Sequence, residues 1–131
     1  IDSVRIVNPP KFGIGLYATK NGSFCRNNTV SNCEVVMQEK WPYTDENNCI
    51  GIELSSFSGA HRNGCDIYLD RNNEDYVPSK TANNIIKNNT ISGGSHGISV
   101  SNAVKNLISN NAISGTSARG IIMMSGCDYN K

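Results

Sequence analysis

The sequence is poor in most of what would announce a function. Aromatic residues make up 7% of 131 residues, with one tryptophan, Trp41. Charged residues reach only 18% and the formal net charge is +1, so no field of one sign draws the chain to nucleic acid or an anionic membrane. No run approaches the ~20 apolar residues that cross a bilayer. The five cysteines include no C-x-x-C pair, and neither His61 nor His96 has a partner at metal-ligand spacing. We therefore expect no structural metal, no cofactor and no disulfide scaffold. The hydrophobic share, 37%, suits a thin core better than a thick one. The chain starts at Ile1 without Met or a signal-peptide pattern and stops in mid-pattern at Lys131. Stacked repeats need covered ends, so we expect a longer polypeptide, or other chains, to cover them here.

What the sequence does contain is a repeat. Asn84-Ile85-Ile86-Lys87-Asn88-Asn89-Thr90-Ile91-Ser92-Gly93 returns as Asn106-Leu107-Ile108-Ser109-Asn110-Asn111-Ala112-Ile113-Ser114-Gly115, an offset of 22. A second phrase, Gly97-Ile98-Ser99-Val100-Ser101, returns as Gly120-Ile121-Ile122-Met123-Met124, an offset of 23. Alternation of period two marks strands with one buried face. A unit of two short strands cannot bury that face alone and must stack on its neighbours, which is the signature of a β-solenoid.

The pattern I-x-N-N-x-I-S-G followed by G-I-x-V resembles the right-handed parallel β-helix repeat of the pectate-lyase-like superfamily. The resemblance implies an all-β, single-domain chain over residues 1–131, with five to six coils of about 22 residues. It also implies apolar stacks of Ile, Val and Leu and hydrogen-bonded Asn ladders, with Asn88-Asn89 and Asn110-Asn111 at the ladder positions. Asn89 should bond Asn111. Ile52, Ile98 and Ile121 should stack, as should Ile86, Ile108 and Cys25, because residues 23–30 align with 84–91 without a gap.

Taken in order, Gly13-Ile14-Gly15-Leu16-Tyr17 is an early G-I-x-V phrase and Gly51-Ile52-Glu53-Leu54-Ser55 the next. An inserted loop, 37–48, separates the second coil's two phrases. Gly64-Cys65-Asp66-Ile67-Tyr68-Leu69-Asp70 reads as a further phrase, followed by a second insertion, 71–81. Both loops should rise from the same region. His96 falls in Gly93-Gly94-Ser95-His96-Gly97, which reads as a turn.

Function in a solenoid concentrates on inserted loops and the sheet face beside them. Trp41 and Tyr43 in the first loop suit the apolar faces and hydroxyls of sugar rings. The outward positions of successive phrases are Gly15, Glu53, Asp66, Ser99 and Ile122, which would make Glu53 and Asp66 stacked neighbours, with Tyr68 and Asp70 extending the row. Glycosidic hydrolysis needs one protonated carboxyl and one ionised partner, so Glu53, Asp66 and Asp70 are the candidate catalytic residues. His61, Arg62, Tyr68 and Arg71 are candidate substrate-binding groups, and Arg62, Arg71 and Tyr68 would equally serve an elimination reaction. The resemblance further implies a tailspike- or depolymerase-like protein of bacteriophages. Such a protein would be a homotrimer at the virion surface or outside the cell, gripping and cleaving bacterial surface polysaccharide. The alternatives are a bacterial polysaccharide lyase or epimerase, and a non-catalytic adhesion or assembly solenoid.

Overall fold

The computed structural model describes residues 1–18, 24–38, 49–56, 80–124 and 126–131. Residues 84–93 show why its elements are short. Asn84 precedes a three-residue strand, Asn88 closes it in the left-handed conformation (φ 57°), and Gly93 closes the next (φ 75°). Asn and Gly are the residues that enter this region at least cost. Each three-residue strand therefore has room for one inward side chain, Ile86 in the first and Ile91 in the second, both fully buried.

The described residues are all-β. In chain order the strands are β1 (Arg5–Val7), β2 (Phe12–Ala18), β3 (Cys25–Arg26), β4 (Thr29–Ser31), β5 (Glu34–Val36), β6 (Ile50–Ser56) and β7 (Thr81–Ala82). They continue as β8 (Ile85–Lys87), β9 (Thr90–Ser92), β10 (His96–Ser101), β11 (Ala103–Val104), β12 (Leu107–Ser109), β13 (Ala112–Ser114) and β14 (Arg119–Met123). They form four sheets, β1-β5-β9-β13, β2-β6-β10-β14, β3-β7-β11 and β4-β8-β12. Every pairing is parallel. From β2 onward the chain visits the sheets in one fixed cyclic order, so each circuit lies on the one before.

The core is a set of in-register apolar columns. Ile6, Val35, Ile91 and Ile113 form one. Ile14, Ile52, Ile98 and Ile121 form another, beside Leu16, Leu54, Val100 and Met123. The third wall is Val30, Ile86 and Ile108. The expected Ile52–Ile98–Ile121 stack is present. Cys25 is not in the Ile86–Ile108 column, which Val30 occupies; Cys25 pairs with Thr81 and packs partly buried against the core. The slip has a physical origin. The unit N-x-I-x-N is followed at once by N-x-I-x-G, so a shift of one five-residue segment still matches Asn to Asn and apolar to apolar.

Asparagine ladders run along two corners. Asn84 Nδ2 donates to Asn106 Oδ1 (3.0 Å) and Asn106 Nδ2 to Asn130 Oδ1 (2.9 Å), while Asn84 Oδ1 accepts from Asn28 Nδ2 (3.0 Å). In the second, the expected Asn89–Asn111 bond is present at 2.9 Å. The first glycine of each G-I-x-V phrase is the second residue of its strand and packs against the β1-β5-β9-β13 sheet. A Cβ on Gly51 would come within 2.5 Å of Ile91 Cγ2 and 2.7 Å of the Gly97 carbonyl oxygen.

Loop boundaries differ from the sequence reading at Met37 and Thr81. The β2-β6-β10-β14 sheet has four strands among the described residues, and β6 pairs directly with β10. The Gly64–Asp70 phrase lies outside the described residues. Met37 is core, 3% exposed, and its N–H bonds the Ser92 carbonyl (2.8 Å), so it belongs to a corner and not to an insertion. Thr81 likewise belongs to β7. The rest of both expected loops, 39–48 and 71–79, lies outside the described residues. His96 opens β10 and is buried, paired in register with Ile50 and Arg119, and is not a turn residue.

Candidate functional site

Along β6, Ile52 and Leu54 point into the core, which sends Glu53 and Ser55 to the opposite face of the sheet. Register then builds rows across that face. Gly15, Glu53, Ser99 and Ile122 lie side by side, and Tyr17, Ser55 and Ser101 form the next row. Phe12, Ile50, His96 and Arg119 form a third.

The polar centre of the face is a phenol–carboxylate pair. Tyr17 Oη donates to Glu53 Oε2 at 2.5 Å. It reaches that far because Gly15 has no side chain: a Cβ there would collide with the Tyr17 ring. Phe12 meets Tyr17 edge-on, with centroids 6.1 Å apart and planes at 74°, and Lys11 Nζ lies 5.6 Å from the Phe12 centroid. Burial first, then the hydrogen bond and charge of Glu53, raise the Tyr17 phenol well above its ordinary range, so it remains a proton donor at neutral pH.

The face is open at one side and covered in the middle. Gly15 is exposed and Phe12 and Tyr17 are half-buried. Glu53 is 8% exposed, and Ser55 and Ser99 are fully buried. Among the described residues the hydroxyls of Ser55 and Ser99 have no hydrogen-bond partner. A buried hydroxyl left unpaired costs about 1–3 kcal/mol, so this row is under-satisfied where the asparagine corners are not.

Of the sequence-derived candidates, Glu53 is the one that falls within the described residues. Trp41, Tyr43, His61, Arg62, Asp66, Tyr68, Asp70 and Arg71 lie outside them. Gly15 and Ser99 occupy the two positions flanking Glu53; Asp66, expected to stack on it, lies outside the described residues. Sequence reading missed Phe12 and Tyr17, although the signal was present. Aligning Gly13-Ile14-Gly15-Leu16 with Gly51-Ile52-Glu53-Leu54 already places a bare Gly15 beside Glu53, with an aromatic two residues on and facing the same way.

Among the described residues no group of three or more His, Cys, Asp or Glu could hold a metal ion. No helix among them is long and apolar enough to cross a membrane. Comparison with protein-family models, curated proteins and solved structures finds no match to this chain.

Proposed function

We propose that the chain is a right-handed parallel β-helix of the pectate-lyase-like kind that binds polysaccharide on the outer face of β2-β6-β10-β14. In this reading it is of phage tailspike or depolymerase type, acts as a homotrimer outside the cell or at the virion surface, and cleaves the glycan it grips. The cyclic parallel pairing, the inward columns and the asparagine ladders support the fold part. The observation that carries the functional part is the Tyr17–Glu53 pair beside Phe12, an acceptor, a donor and an aromatic edge on one sheet face. Sugars need such a combination, apolar surface for their C–H faces and directed hydrogen bonds for their hydroxyls.

For hydrolysis Glu53 would be one member of a carboxyl pair, with Asp66 or Asp70 as the second. A separation of about 5 Å would mean retention and roughly 6.5–9.5 Å inversion. Tyr17, held protonated, suits hydrogen-bond donation and not service as a base. A second reading, a non-catalytic adhesion or assembly solenoid, is favoured by one observation: Glu53 is the only carboxylate of this face among the described residues, and it is nearly covered.

The test is incubation with a panel of bacterial capsule and O-antigen polysaccharides, scoring loss of size and the absorbance of unsaturated uronate together. Size loss without absorbance, lowered by orders of magnitude in Glu53→Gln, is the expected result. Size loss with absorbance would assign a lyase, and binding without cleavage the inert module. Binding to no glycan overturns the proposal. Unchanged cleavage in Glu53→Gln, Asp66→Asn and Asp70→Asn alike would move the chemistry elsewhere.

A further inference from the structure

We draw no further inference here: the strongest candidate, the apolar edge of β14 where Ile121 and Met123 stand exposed at the foot of columns that are buried at Ile52, Ile98, Leu54 and Val100, carries nothing because nothing in the structure shows what covers it.

Discussion

Asn84 and Ser99 are both wholly buried polar residues of this chain, one at the corner before β8 and the other in the middle of β10. Asn84 spends its amide completely. Its Oδ1 accepts from the backbone and side chain of Asn28, and its Nδ2 donates to the Cys25 carbonyl (3.1 Å) and to Asn106 (3.0 Å). Among the described residues Ser99 has no partner for its hydroxyl, nor has Ser55, and Tyr17 supplies the single hydrogen bond of the Glu53 carboxylate. Polarity at the corners is consumed by architecture. Polarity on the outer face is left unspent among the described residues.

The largest expected effect lies in the ladder. Asn84→Ala removes the ladder bonds to Asn28, Cys25 and Asn106; Asn28 is exposed and Asn106 Oδ1 keeps the Asn84 backbone N–H, so the cost should be about 1–3 kcal/mol, the scale of one buried group left unsatisfied. Denaturant midpoints measure it, and a loss below ~1 kcal/mol would break the contrast between corner and face.

The next test concerns the face. The folded state raises the Tyr17 phenol above its ordinary value, so its contribution to stability is complete below about pH 10 and is lost as pH rises further, where the unfolded chain gives up the proton first. Tyr17→Phe should lack that part of the alkaline decline. Parallel stability–pH curves for parent and variant would mean that Tyr17 titrates as an ordinary phenol.

A smaller change should sharpen the comparison from the ladder side. Asn27, Asn83 and Lys105 occupy equivalent left-handed turns, with φ of 59°, 56° and 57°. Lys105 holds that conformation with a side chain poorly suited to it, so Lys105→Asn should gain about 1 kcal/mol. No gain in thermal unfolding would show the strain to be relieved locally.

The smallest effect is expected from Ser99→Ala. Removing an unpaired buried hydroxyl should leave stability unchanged or raise it by up to ~1 kcal/mol. A clear loss would reveal a bonded partner, and the face would then be as fully satisfied as the corners.

Much of the fold was legible in the chain because its signals are local and repeated. Alternation around Ile86, Ile91, Ile108 and Ile113 requires one inward residue per short strand, and Asn or Gly at the corners supplies the left-handed turns. The 22-residue offset predicts which isoleucines stack and that Asn89 meets Asn111. Register in the earlier circuits was not legible. The two halves of the repeat resemble each other, so Cys25 and Val30 compete for one column, and only packing against Ile86 chooses Val30.

The candidate site divides along the same line. Sequence alone determined that Glu53 faces away from the core, because strand alternation is covalent geometry. Tertiary structure decided what stands beside it: Gly15 and Ser99, with the Tyr17 hydroxyl reaching across the bare glycine. Neighbours across a parallel sheet are set by which circuits stack, and the chain between two circuits can lengthen without altering either strand. Spacing along the sequence therefore carries no record of that choice.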